Sequence, residues 1–333
     1  MKKNNKLNFF IIFLITLLVL FLSLKDDFSG IINQIFNIKP LFLILSFLLI
    51  FAYYFLRTIV LNDIIIKFKK DYSFKETFKL TLKTQFFNGV TPFSTGGQPF
   101  QVYMLKKEGI KISNATNIIV QNFIVYQIAL VILGIIAIIY NHFFNLFKEI
   151  TLLKNLVTVG FVINILVIIV LFTLAFTTKL NKKIGNIIIK LLQKIKIIKN
   201  SIQLVNKWDE YVENFYDGAI VLLSNKRLFV KGIFYNIMAL CSLYLIPLTL
   251  LYGMEKFNIM TPIETIITSA YVMLIGSFVP IPGGTGGLEY GFISFYSNFI
   301  KGSLLNAVML LWRFITYHFG IILGAIEINK KRR

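Results

Sequence analysis

The chain has 333 residues, of which 56% are hydrophobic and only 15% charged, with a formal net charge of +20 and a mean hydropathy of +0.74. Runs of about 18 or more apolar residues recur along it, the length needed to cross roughly 30 Å of hydrocarbon, which excludes a soluble globular protein. The runs are continuous rather than alternating, which excludes a membrane β-barrel, and the basic residues fall in alternate loops, which argues against a nucleic-acid binder.

The first predicted span is Leu7–Leu24, after "MKKNNK". It is long, no small-x-small cleavage site follows, and it reads as an uncleaved helix. The loop Lys25–Lys39 then lies outside, and a second span, Pro40–Asn62, returns, with Arg57 expected to snorkel at its inner end. Lys67, Lys69, Lys70, Lys75, Lys79 and Lys83 mark the next loop as inside. A broken segment, Glu76–Pro99, leads to Lys106, Lys107 and Lys111, also inside. Spans three and four are Ser113–Tyr140 and Leu153–Phe176. Residues 178–231 carry eleven Lys or Arg and lie inside. Span five is Leu228–Tyr252, a second broken segment follows at Glu264–Glu289, and span six is Ser303–Ile326, ending inside at "NKKRR". Nearly thirty basic residues are cytoplasmic by this assignment and about six external, as the positive-inside rule requires. The expected fold is an all-α, multi-pass bundle of six full spans plus two broken re-entrant hairpins (eight spans if each hairpin is counted as one). It would sit in the cell membrane with both termini cytoplasmic. The heavy use of Ile, Lys, Asn and Phe suggests an AT-rich, bacterial genome.

The broken segments resemble each other. "ETFKLTLKTQFFNGVTPFSTGGQP" and "ETIITSAYVMLIGSFVPIPGGTGGLE" both begin Glu-Thr, both place a proline sixteen residues on (Pro92 and Pro280), and both follow it with Gly-Gly. Downstream, "QNFIVYQ" matches "WRFITYH" at Phe, Ile and Tyr, with an offset of 188 to 191 throughout. The charge topology opens one hairpin from each side of the membrane. Residues 1–140 and 141–333 therefore read as inverted repeat halves of a single transmembrane domain, with a basic insertion at 178–228. Within it, residues 178–208 are expected to form an amphipathic helix, with Leu180, Ile184, Ile187, Leu191, Ile195 and Ile198 on one stripe. Such a helix lies on an anionic inner leaflet or recruits a lipid-modifying enzyme.

Glycine and proline in "TPFSTGGQP" and "PIPGGTGG" stop a helix and let a ligand approach the backbone. The helix restarting after each break offers free amides to a phosphate. Thr91, Ser94, Thr95, Gly96, Gly97 and Gln98 in the first loop are candidate substrate contacts. So are Pro280, Pro282, Gly283, Gly284, Thr285, Gly286, Gly287 and Glu289 in the second. The alternative is that the glycines serve helix packing. Glu289 is suited to a cationic head group or to pairing with Arg313, and Arg313 to a phosphate or to that same pair. Tyr317 and His318 share a polar stripe with Arg313, while Asn122, Tyr126 and Gln127 occupy matching depths in the first half as cavity lining. Glu76 and Glu264 read as helix-start carboxylates. With a single cysteine, Cys241, and two histidines, His142 and His318, no metal site is expected, and no catalytic residue or cofactor is assigned.

The stretches "NGVTPFSTGGQPFQVYMLKKEG" and "PIPGGTGGLEYGF" resemble the transmembrane region of the lysylphosphatidylglycerol synthase/flippase family. The resemblance implies movement of a phospholipid with a polar or aminoacylated head group, such as lysylphosphatidylglycerol, between leaflets. Bifunctional members carry a soluble aminoacyltransferase domain. This sequence stops seven residues after its last span, so enzymatic lysyl transfer is not expected without a separate catalytic chain. A small-solute or ion transporter is the other alternative.

Overall fold

In a computed structural model the described residues are 27–147, 151–195, 201–276 and 279–330. They form helices and turns, with no strand among them. The predicted first span lies outside them. Five helices are long and apolar enough to cross a membrane: Pro40–Ile65, Ile112–Phe144, Asn155–Leu174, Lys226–Gly253 and Gly302–Asn329. They correspond to predicted spans two to six, and their outer faces carry exposed Leu, Ile, Val and Phe. The protein is therefore an all-α polytopic membrane protein.

The elements begin where the sequence supplies caps. Helix α1 (Phe28–Phe36) starts at Asp27, whose side chain accepts from the Gly30 amide, and α2 (Pro40–Ile65) starts on Pro40. Helix α3 (Phe74–Val90) is capped by Ser73, and α4 (Gly97–Lys107) restarts after a turn. Helices α5 (Ile112–Phe144) and α6 (Thr151–Phe176) follow. Helices α7 (Thr178–Lys194) and α8 (Ser201–Ser224) form the basic insertion. Helices α9 (Lys226–Tyr244) and α10 (Ile246–Gly253) make one span with a joint before Pro247. Helix α11 (Pro262–Gly276) opens on a reciprocal cap, with Thr261 Oγ1 accepting from the Glu264 amide at 3.2 Å and Glu264 Oε2 from the Thr261 amide at 2.8 Å. Glu264 is thus a helix-start carboxylate, as its position in the sequence predicts. Helix α12 (Gly287–Tyr296) completes the second broken hairpin. Helix α13 (Gly302–Arg313), a π-turn (Phe314–His318) and α14 (Phe319–Asn329) make the last span.

The two broken segments fold alike: helix, proline-led turn, helix. The first turn is Pro92–Ser94 and the second Pro282–Gly284. Pro92 therefore corresponds to Pro282 and not to Pro280, because the turn geometry, rather than the count from the helix start, sets the register. Phe93 and Ser94 take φ of 53° and 54°, and Gly283 and Gly284 take 65° and 63°. Thr95 and Thr285 close the two turns identically, each hydroxyl donating to its proline carbonyl at 3.0 and 2.9 Å. The turns pack against each other at the centre of the bundle.

Lipid tails are as apolar as leucine, so close backbone approach and buried polar links do much of the work of holding membrane helices together. Ser46 and Thr249 share a hydrogen bond of 2.7 Å between α2 and α10. Thr58 donates to Thr81 at 3.0 Å between α2 and α3. Helix α14 crosses α3 at Gly324, where an added Cβ would lie 2.8 Å from the Leu82 carbonyl oxygen and the Phe86 amide nitrogen. The basic insertion is a helical hairpin rather than the single helix predicted over 178–208. Helix α8 folds back on α7, with the Trp208 indole seated over Gly185 and donating to the Asn181 carbonyl at 3.1 Å. Gly185 leaves room for that indole, which lets the two helices approach closely. Leu180, Ile184, Ile187, Leu191 and Ile195 are exposed along α7, as the stripe predicts; Ile198 lies outside the described residues. Helix α8 docks on α5 through Asn117, which donates to the Phe215 carbonyl, and Gln121, which donates to the Gly218 carbonyl at 2.7 Å.

Gly324→Leu is expected to destabilise the protein by about 1–3 kcal/mol, since the atoms it meets are backbone and cannot rotate away. Thermal unfolding in detergent checks this against Ile322→Val, on an exposed face of the same helix, which should change little.

Candidate functional site

A cavity of about 420 Å³ lies where the two turns meet. Its walls come from α2 to α6, α9, α11, α12 and the last span, and polar and aromatic side chains share them with aliphatic ones, inside a bundle whose exterior is apolar. Of the residues the sequence nominates, Ser94, Thr95, Gln98, Asn122, Tyr126, Gln127, Gly283, Gly284, Arg313 and Tyr317 line it. Thr91, Gly96, Gly97, Pro280, Pro282, Thr285, Gly286, Gly287, Glu289 and His318 do not.

Several of the second group, Thr91, Gly96, Gly97, Thr285, Gly286 and Glu289, are engaged in the folding of the turns. The Thr91 hydroxyl donates to the Phe87 carbonyl at 2.7 Å and accepts from the Gly96 amide at 2.8 Å. The Gly97 amide donates to Asn88 Oδ1 at 3.1 Å. In the second turn the Gly286 amide donates to Glu289 Oε2 at 2.7 Å. Three of the amides at the helix restarts, those of Gly96, Gly97 and Gly286, are therefore already satisfied by side chains of the same hairpin. A helix end in hydrocarbon has no water to turn to, and a capping residue within the hairpin is its nearest partner.

Glu289 and Arg313 form a buried ion pair, with Nε 2.6 Å from Oε1 and both side chains less than a tenth exposed. It is an ion contact rather than an aligned hydrogen bond, since Nε also counts as unpaired by direction. Arg313 Nη2 donates to the Gly283 carbonyl at 3.1 Å and lies 3.4 Å from Thr285 Oγ1. One arginine on the last span thus holds both the carboxylate that caps α12 and the carbonyl of a left-handed glycine in the turn. Its guanidinium also stacks over Tyr317, 4.5 Å from the ring centroid. The Tyr317 hydroxyl reaches the Gly89 carbonyl of the other hairpin at 2.9 Å. Its ring fills the space a Cβ on Gly283 would take, so Gly283 is required both for its positive φ and for this approach.

Arg57 was expected to snorkel; instead it faces the cavity. Its Cζ lies 4.0 Å from the Tyr126 ring centroid, and Nη1 is 3.5 Å from the Tyr53 hydroxyl. The signal was present in the sequence as an arginine within a 26-residue apolar helix, but the face it occupies is set by helix packing. Gln85, Asn88, Gln101 and Asn164 also line the cavity without having been singled out. Gln127 donates to Asn164 Oδ1 at 3.0 Å, tying α5 to α6. No group of three or more His, Cys, Asp or Glu is placed to hold a metal ion among the described residues.

Replacing Glu289 by Gln leaves Arg313 buried without a counter-ion and is expected to cost about 3–5 kcal/mol. The double variant Glu289→Gln/Arg313→Met should recover part of that loss. A double-mutant cycle by thermal unfolding in detergent reads the coupling, and additive losses would show that the pair is not coupled.

The chain aligns with two archaeal proteins, each described as a UPF0104 membrane protein. The one from Archaeoglobus fulgidus is 23% identical over 270 residues, covering 77% of this chain and 76% of the relative. The one from Methanothermobacter thermautotrophicus is 24% identical over 315 residues, covering 87% and 83%. The family described as the lysylphosphatidylglycerol synthase TM region matches residues 9–324. Taken with two proline-led turns closing on one cavity, that match over nearly the whole length establishes that this chain belongs to the lysylphosphatidylglycerol synthase transmembrane-region family.

Proposed function

We propose that the protein moves a lipid with a polar head group between the leaflets of a membrane. The observation that carries this reading is a partly open cavity of about 420 Å³ among apolar spans, where two broken hairpins meet and Arg57, Arg313, Gln98, Asn122 and Gln127 bring polar groups to its lining. A cavity of that volume suits a head group and not two acyl chains, which would remain in the surrounding lipid. Non-helical backbone at membrane depth is tolerated where it is buried in protein or lines a cavity, and both turns meet that condition. The hairpins would belong to inverted halves that rock about the shared site. Arg313 and Tyr317 connect the turns, so they would transmit the movement of one hairpin to the other. With Glu289 engaged by Arg313, a lysyl ammonium would find no free carboxylate on the cavity wall, and the phosphate becomes the better-recognised part of the head group.

The α7–α8 hairpin would rest on an anionic leaflet. Helix α7 carries Lys179, Lys182, Lys183, Lys190 and Lys194 and no acid, beside its exposed apolar stripe. Helix α8 carries Asp209, Glu210, Glu213 and Asp217 against Lys207. This asymmetry would turn α7 toward the lipid and α8 away from it.

In proteoliposomes, leaflet exchange of labelled phosphatidylglycerol or lysylphosphatidylglycerol should exceed that of empty vesicles and be lost in Gly283→Leu and Arg313→Ala. Absence of exchange by folded protein for both lipids would count against the reading for these substrates. A bimane label at Ile188→Cys, in a Cys241→Ser background, should be quenched by brominated lipid in anionic vesicles and less in neutral ones. Quenching by aqueous iodide alone would place the hairpin in water.

A further inference from the structure

Two arginines face the cavity, and only one of them is neutralised. Arg313 has Glu289. Arg57 has no carboxylate: among the described residues none lines the cavity. Its Nε is enclosed without a hydrogen-bond partner, and its contact with the Tyr53 hydroxyl is long, at 3.5 Å. An unpaired guanidinium inside a membrane protein is costly, and such a group is retained where something binds it. Stacking on the Tyr126 face, 4.0 Å from the centroid, steadies the cation. A planar guanidinium fork matches two oxygens of a phosphate.

Two further groups that line the cavity lack partners. Asn122 Oδ1, on α5 one turn before Tyr126, and Gln98 Oε1, at the start of α4, are buried without a donor. Asn122 as a whole is only 5% exposed. Buried polar groups are normally satisfied, and two orphaned acceptors lining the same cavity as a cation without a counter-ion describe a ligand by its complement. The ligand presents anionic oxygen to Arg57 and hydrogen-bond donors to Asn122 and Gln98.

We infer that Arg57, stacked on Tyr126, is an anion subsite, and that with Asn122 and Gln98 it takes a phosphodiester bearing hydroxyl groups, as on a glycerol or sugar. That the phosphodiester belongs to a membrane lipid rests on the translocation reading; the subsite itself does not. A phosphocholine head group fills the Arg57 position but offers no donor to the two acceptors.

The test measures binding apart from transport. Purified protein is titrated calorimetrically with glycerophosphoglycerol, glycerophosphocholine and inorganic phosphate, and retained phosphatidylglycerol is measured by mass spectrometry from nanodiscs. Glycerophosphoglycerol or phosphatidylglycerol should bind more tightly than the choline ester. Arg57→Gln should weaken that binding about tenfold or more, while Arg57→Lys, which keeps the charge but loses the fork, recovers only part. Asn122→Leu should erase the preference for the hydroxylated ester and leave inorganic phosphate binding unchanged. Arg57→Gln should not lower the unfolding temperature, since it removes an uncompensated charge; a lower one would make Arg57 a structural group and overturn the proposal. So would unchanged affinity in Arg57→Gln, or a wild-type protein that binds none of the probes. Retention of the lipid without binding of the soluble esters would place the source in the membrane. Binding of both would show that the phosphodiester suffices. Binding that depends on Arg57 without leaflet exchange would keep the subsite and remove the translocation reading. Exchange indifferent to Arg57→Gln would do the reverse.

Discussion

A backbone that breaks within hydrocarbon must find all its hydrogen-bond partners inside the protein, and this requirement organises the centre of the molecule. Each break exposes carbonyls at the end of one helix and amides at the start of the next. Thr91, Asn88 and Thr95 supply the partners in the first turn; Glu289, Thr285 and Arg313 supply them in the second. The fixed φ of proline starts each turn, and a pair of left-handed residues completes it. In the first turn these are Phe93 and Ser94, which accept a conformation costing about 1–2 kcal/mol per residue for an L side chain. The second uses glycine, because Tyr317 occupies the space above it.

The Arg313–Glu289 pair shows how one charge can serve several structural demands. Burying both ions carries a desolvation penalty that their mutual attraction rarely exceeds by much. Here the carboxylate also caps α12, and the guanidinium also satisfies a turn carbonyl and stacks on Tyr317. The pair therefore locks the last span to the second hairpin, while Tyr317 reaches across to the first. Side chains whose chemistry would suit a head group are used to make the turns possible, which leaves the vacant polar positions to Arg57, Asn122 and Gln98 in the cavity lining.

Of these three, Asn122 stands on α5, the helix on which the basic hairpin also docks. Asn117 and Gln121 hold α8 at one stretch of α5, and Asn122, Tyr126 and Gln127 face the cavity immediately after. Helix α6, largely exposed along its length, is tied to α5 through Gln127 and Asn164. The surface hairpin and the cavity are thus joined by a single rigid element rather than by a loop, so a load on one reaches the other through helix packing.

The sequence by itself determined the fold class, the five described spans, the two interruptions and the helix starts at Glu76 and Glu264. These follow from local physics: apolar run length, the missing donor of proline and the short reach of a capping side chain. The resemblance of the two broken segments was legible for the same reason, since each must solve the same turn. Only the tertiary structure decided that Pro92 answers to Pro282, that α8 packs back along α7 through Trp208, and that Arg57 turns inward. The first depends on turn geometry and the other two on which face of a helix meets a neighbour; the helix of Arg57 is apolar nearly all round and carries no periodicity from which that face can be read. The roles of Glu289, Gly286 and Thr91 were hidden in the same way. Carboxylate, glycine and hydroxyl suit both a ligand and a helix end, and only their distances to the backbone showed that the helix ends had taken them.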